Sequence, residues 1–138
     1  MQSALVDSGP LIALFDRDDR DHRRIRTFLE RHPLRMATTW PVLTEVCALL
    51  PRRAALDFLE FVARGGVKVE NLTEADVSEI LALSRKYADL PMDFADASLV
   101  VLATKSGLDA ILSLDADFGV YRLPGKKTFK NLLPLSRK

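Results

Sequence analysis

The chain predicts an α/β fold, a three-layer α/β/α sandwich around a mainly parallel central sheet of about four to five strands. Three observations lead there. Short apolar runs at residues 3–6 and 109–114 are bounded by turn residues and have the length of buried strands. Helical segments separate the strand-like runs, an alternation that implies parallel strands with helices on both faces. Length and composition agree, because 138 residues with 48% hydrophobic and 28% charged content suit one globular domain over residues 1–138.

Residues 3–6 end abruptly at Asp7-Ser8-Gly9-Pro10, a strand followed by a turn, so Asp7 stands at the carboxyl end of the first strand. Pro10 suits the first position of a helix reaching about Asp16. Arg17-Asp18-Asp19-Arg20 connects to a second helix over about 21–31, with a narrow stripe of Ile25, Phe28 and Leu29. A second strand covers 34–37 and ends at Thr38-Thr39. Thr39 then reads as the N-cap, and Pro41 as an early residue, of a helix over about 40–50. Glu45 is the one charge among Val42, Leu43, Val46, Cys47, Leu49 and Leu50 in that helix. A further helix over 52–64 stops at Gly65-Gly66, and a strand follows at 67–70. Residues 73–87 form a helix with Thr73 as cap and Asp76 three positions on, a variant of the capping box. Leu90-Pro91 breaks the chain before a helix over 93–106 that closes at Gly107. It is apolar on almost every face and so belongs in the middle of the fold. The strand at 109–114 runs into Asp115-Ala116-Asp117-Phe118; Phe118 and Tyr121 pack beneath that loop, and a last strand lies near 128–131.

Composition excludes several classes of protein. A single cysteine, Cys47, rules out an internal disulfide and reads as a small buried residue. The opening Met-Gln-Ser-Ala-Leu-Val-Asp has no basic region or long apolar core, so no signal peptide is expected. No apolar run is long enough to cross a bilayer, and a cytoplasmic protein is expected. The formal net charge of +1 says nothing about nucleic acid. Its distribution says more: Arg20, Arg23, Arg24, Arg26, Arg31 and Arg35 crowd one early segment, while Lys126, Lys127, Lys130, Arg137 and Lys138 crowd the tail. Either patch is a solvated face or an RNA contact.

The acids occupy suggestive places. Asp93 is an N-cap by type and position, and Asp96 falls in the first turn, where an acidic side chain also meets the positive end of the helix dipole. An ionised carboxylate entering a buried helix nevertheless needs a partner, and no basic residue follows before Lys105. In open parallel sheets, ligands collect beyond the carboxyl ends of strands near a switch in strand order. Asp7 and Asp115 both stand at such ends, and the helices of Glu45 and Asp96 open on the same side if the first and fourth strands are neighbours. Two carboxylates about 5 Å apart repel by roughly 3 kcal/mol at an effective dielectric near 20, so four gathered acids require protons or a divalent cation. An all-carboxylate set favours Mg²⁺ or Mn²⁺, because zinc sites draw on histidine or cysteine, and His22, His32 and Cys47 are scattered, the histidines reading as surface residues.

Such a site suits hydrolysis of a phosphodiester. Asp7 and Asp96 are then the principal metal ligands, and Asp115 a ligand through water or to a second ion. Glu45 orients or deprotonates the attacking water. Ser8 and Ser113 are either auxiliary hydrogen-bond donors or plain turn and strand-end residues.

Asp7 after a first strand, Glu45 in a helix after Thr38-Thr39, Asp96-Ala97, and Ser113-Leu114-Asp115-Ala116-Asp117-Phe118 together resemble the PIN-domain nucleases. Among these the chain is most similar to the VapC-type toxins of bacterial toxin–antitoxin pairs. Leu5-Val6-Asp7-Ser8-Gly9-Pro10 and Asp93-Phe94-Ala95-Asp96-Ala97-Ser98-Leu99 carry the likeness to one branch. The resemblance implies a PIN-like fold, Mg²⁺- or Mn²⁺-dependent cleavage of single-stranded RNA, homodimerisation, and inhibition by a small cognate antitoxin covering the cleft. It leaves open whether Asp115 or Asp117 is the fourth acid, and Asp93 is an auxiliary residue.

Two rival readings belong to other classes. A response-regulator receiver would need an acidic pair after its first strand and a later lysine, whereas Asp7 stands alone and no lysine follows Asp115 at the required place. A PIN-like fold that only binds a partner would have no need to fill every acidic position. A processing ribonuclease without an antitoxin is the third alternative.

Overall fold

The computed structural model describes residues 1–133. Arg137 and Lys138 of the basic tail lie outside the described residues. Strand β1 (Gln2–Val6) leads into helix α1 (Ser8–Phe15), α2 (His22–Arg31) into β2 (Leu34–Thr39), and α3 (Trp40–Leu49) with α4 (Arg52–Ala63) into β3 (Lys68–Glu70). Then come α5 (Asp76–Lys86), α6 (Phe94–Ser106) and β4 (Ala110–Leu112), followed by a 3₁₀ turn (Ala116–Gly119), β5 (Arg122–Leu123), β6 (Lys127–Thr128) and β7 (Lys130–Asn131).

The main sheet has the order β3-β2-β1-β4-β7, and every pairing in it is parallel. From β1 the chain winds outward through β2 to β3, then returns to the other side of β1 as β4. The direction of winding therefore reverses between β1 and β4, which is the switch point where a cleft opens beyond the strand ends. Right-handed crossovers put α1 to α4 on one face and α5 with α6 on the other. Accordingly α1 packs on α2, α3 and α4, and α5 packs on α6. Leu5, Val6, Ile111 and Leu112 of the paired central strands are fully buried, as are Val42, Val46, Leu99 and Phe58 from the helices above and below. Burial of apolar surface at roughly 25 cal/mol per Å² makes this layered core the main stabilising element.

Several local expectations are corrected. Helix α1 begins at Ser8, two residues before Pro10, because Asp7 caps it; Pro10 still sits in the first turn, where a missing N–H costs no helical bond. Thr39 occupies the N-cap position of α3 without capping it, since its hydroxyl is engaged elsewhere. Helix α5 starts at Asp76, not Thr73: only the reverse half of the capping box forms, with the Thr73 N–H donating to Asp76 Oδ2 at 2.8 Å. The last strand divides in two around buried Phe129, and β6 pairs with β5 in a small antiparallel hairpin while β7 joins the main sheet. His22 is half-buried and bonds the Ala13 carbonyl through Nδ1 at 2.7 Å, and Cys47 is half-exposed on α3. No helix among the described residues is long and apolar enough to cross a membrane.

Candidate metal centre

Helix α6 is buried from Ala95 through Ala103. Its start is fixed by a capping box: Asp93 Oδ1 accepts from Asp96 N at 2.8 Å, and Asp96 Oδ2 accepts from Asp93 N at 3.1 Å. Asp96 thus serves the helix start and also faces the cleft. The helix is pinned to the sheet one turn later. Ser98 Oγ donates to Ala95 O at 2.6 Å, which uses its only hydrogen, so in the buried 2.6 Å contact with Thr39 Oγ1 the threonine is the donor. One residue earlier on β2, Thr38 Oγ1 donates to Val6 O at 2.8 Å, tying β2 to the end of β1. These buried hydroxyls hold the ends of β1 and β2 and the start of α6 in one arrangement.

At the switch point the ladder between β1 and β4 extends by one bond, Asp7 N to Leu112 O at 3.0 Å, which brings Asp7 beside Ser113. Ser113 is fully buried. Its hydroxyl donates to Asp7 Oδ2 at 3.0 Å and accepts the Asp115 N–H at 2.9 Å. Its backbone is held by the side chain of Asn131 on β7: Asn131 Oδ1 accepts from Ser113 N at 3.3 Å and Asn131 Nδ2 donates to Ser113 O at 3.0 Å. Asp115 in turn caps the 3₁₀ turn, its Oδ1 accepting from Asp117 N at 2.9 Å.

Asp7, Asp96 and Asp115, from three separate elements, each place a carboxylate oxygen within 4.8 Å of the other two. Among the described residues none of the three joins an ion pair with lysine or arginine. Burial, opposed by hydrogen bonds from Ser8 and Ser113 and reinforced by the charges of Asp115 and Glu45, raises Asp7 from 3.8 to about 6. Burial and then the neighbouring charges of Asp93 and Asp7 raise Asp96 from 3.8 to about 7. Such a set of hard, partly desolvated oxygens without a cationic side chain fits a divalent metal ion.

The other acids fall outside that trio. Glu45, half-buried on α3, lines the same cavity of about 530 Å³, together with Ser8, Gly9 and Asp93. Asp93 is exposed and serves as the cap. Asp117 is not among the residues lining the cavity, and burial and the charge of Asp115 push its carboxyl upward. Ser8 lines the cavity and gives its N–H to Asp7 Oδ1 at 2.8 Å.

Residues 4–123 match the PIN domain model. The chain belongs to the PIN-domain family. This PIN domain is 27% identical over 115 residues to ribonuclease VapC26 of Mycobacterium tuberculosis, a match covering 80% of this chain and 85% of that protein. Its fold resembles that of Mycobacterium tuberculosis VapC20, described as a sarcin-ricin loop cleaving toxin, with a TM-score of 0.77, 23% identity, and coverage of 85% and 93% of the two chains. It also resembles a chain of a toxin–antitoxin complex from Klebsiella pneumoniae, with a TM-score of 0.65, 22% identity, and coverage of 94% and 99%.

Three supports of this PIN-domain site were not singled out from the sequence: the Thr39–Ser98 contact, the Thr38 bond to Val6, and the Asn131 side chain. A signal existed for the first two, since Thr38-Thr39 and Ser98 are polar residues inside apolar stretches. Nothing local marks Asn131, whose partner lies 18 residues earlier.

Proposed function

We propose that this PIN domain is a divalent-metal-dependent endoribonuclease that hydrolyses phosphodiester bonds of single-stranded RNA, the toxin of a toxin–antitoxin pair. The observation that carries the reading is the convergence of Asp7, Asp96 and Asp115 within 4.8 Å. The names of the relatives, a ribonuclease and a sarcin-ricin loop cleaving toxin, support the same reaction class. The complex from Klebsiella pneumoniae supports a small antitoxin as partner.

Asp7 and Asp96 act as principal ligands of Mg²⁺ or Mn²⁺, and Asp115 completes the set. When bound, the ion lowers the pKa of water and offsets charge developing on the phosphate oxygens. Glu45, on the wall of the same cavity, orients the attacking water and accepts its proton. Ser113 holds Asp7 Oδ2 and so fixes the orientation of a carboxylate that would hold the ion. Hydrolysis adds hydroxide to phosphorus and a proton to the departing ribose oxygen, so proton balance closes without any redox partner. The cytoplasmic setting and a homodimer belong to the same reading; exposed Leu56 and Leu59 on α4 and Val77 and Leu81 on α5 supply apolar surface for association.

The test is cleavage of labelled single-stranded RNA by the purified protein with Mn²⁺, with Mg²⁺ and with EDTA, alongside Asp96→Asn. Metal-stimulated cleavage lost in the variant is expected. Equal cleavage in EDTA, or by the variant, overturns the reading.

A further inference from the structure

The acidic cleft repels the polyanion it is proposed to cut, so the binding energy for RNA has to come from elsewhere on the surface. Helix α2 carries a concentration of positive charge that the cleft chemistry leaves unused. A groove of about 560 Å³ is lined there by Arg20, Arg23, Arg24 and Arg31, with Phe28 and Leu133 as an apolar floor and no acidic residue in the lining among the described residues. His32 also lines it, exposed and stacked on Phe28 at 4.6 Å between ring centroids. Asp21 partly offsets Arg20 and Arg24 through 3.6 Å contacts, while Arg23 and Arg31 are exposed and have no acidic partner among the described residues. At 1.5 Å rise per residue, the helical positions from Arg23 to Arg31 span about 12 Å along α2.

One residue of the groove lining, Leu133, connects it to the cleft. Leu133, on its floor, donates its N–H to Asn131 Oδ1 at 3.1 Å, and the same oxygen accepts from Ser113 N at 3.3 Å. Ser113 is the residue that holds Asp7 at 3.0 Å. Because β7 runs parallel to β4, Leu133 lies at the carboxyl end of the sheet, as the acids do.

We propose that this arginine groove on α2 holds the phosphate backbone of the single-stranded RNA whose scissile bond lies in the acidic cleft, an inference that rests on the nuclease reading above. Guanidinium groups bind phosphate in bidentate fashion, and the exposed, flat His32 ring offers a face for an unstacked base. Each phosphate contact adds about 0.7 to the slope of log affinity against log salt for a single strand.

The experiment uses a fluorescein-labelled, unstructured single-stranded RNA and anisotropy titrations over a salt series. The proteins are full-length Asp96→Asn, to prevent cleavage, with and without Arg23→Glu and Arg31→Glu; Arg23→Gln and Arg31→Gln, measured singly, guard against a folding defect, and thermal melting checks each. The expected result is at least about tenfold weaker binding in the double variant, with the salt slope lowered by about 0.7 for each arginine removed. In the active protein the same changes raise KM for RNA and leave kcat in place. RNA binding that is unchanged in affinity and slope overturns the groove while leaving the nuclease reading intact. Groove-dependent RNA binding in a protein that never cleaves would instead overturn the nuclease reading and keep the groove.

Discussion

Ser113 and Asp7, 106 residues apart in sequence, are joined by a buried 3.0 Å hydrogen bond from the serine hydroxyl to Asp7 Oδ2. The same hydroxyl accepts the Asp115 N–H, so one oxygen sets the spacing of two of the three clustered acids.

Ser113→Ala removes a bond that holds the Asp7 carboxyl down and leaves the Asp115 N–H without its acceptor. A loss of about 1–3 kcal/mol in stability is expected. Metal affinity near pH 6 should fall, because protons compete harder for Asp7. Calorimetric Mn²⁺ titration and thermal melting check both effects, and Ser113→Thr should restore most of each.

Asp96→Asn should abolish metal-stimulated RNA cleavage and leave the fold in place, since the amide oxygen can still accept from Asp93 N. With one of the mutually repelling charges removed, melting in EDTA should occur at the same or a higher temperature than for the unaltered chain. A lower melting temperature would show that the carboxylate serves the helix cap more than the cleft.

The acids also fix a pH dependence of stability. Asp7 and Asp96 rise from 3.8 to about 6 and about 7 on folding, so between about pH 4 and 7 the folded chain holds more protons than the unfolded one. Stability contributed by the protonated forms is complete below pH 3.8 and lost as pH rises through about 6 and 7. For Asp7 the difference corresponds to ~3 kcal/mol. Denaturant unfolding in EDTA should therefore show declining stability across that window, and saturating Mn²⁺ should flatten or reverse the trend. Cleavage should rise with pH over the same range, since the ligands must lose their protons to bind the ion.

Tyr121 is fully buried, and its hydroxyl is the one buried side-chain polar atom without a partner among the described residues. Burial, then the charges of Asp96, Asp117, Asp115 and Asp93, hold it protonated. Tyr87, in edge contact with it at 5.1 Å, has by contrast a bonded hydroxyl that accepts from Arg122 N at 2.9 Å. Tyr121→Phe should therefore stabilise the protein by about 1 kcal/mol in chemical denaturation, and Tyr87→Phe should destabilise it.

Local patterning carried much of the architecture. The unbroken apolarity of residues 95–103 identified the buried helix α6, and Asp93 with Gly107 marked its ends, because capping and burial depend on residues close in sequence. Short apolar runs ending in acid located β1 and β4. Where an expected cap failed to form, at Thr73 and Thr39, the side chain suited by type to that role had found a different partner.

What the sequence by itself determined was the alternation of strands and helices and the placing of acids at their carboxyl ends and first turns, since hydrophobic periodicity and capping chemistry are short-range. The tertiary structure alone decided that Asp115 and not Asp117 turns toward Asp7 and Asp96, that Glu45 stays on the cavity wall, and that Asn131 braces Ser113. Those outcomes depend on strand order and on loop positions good to an ångström or so. They are set by packing between segments remote in the chain, which no local pattern records.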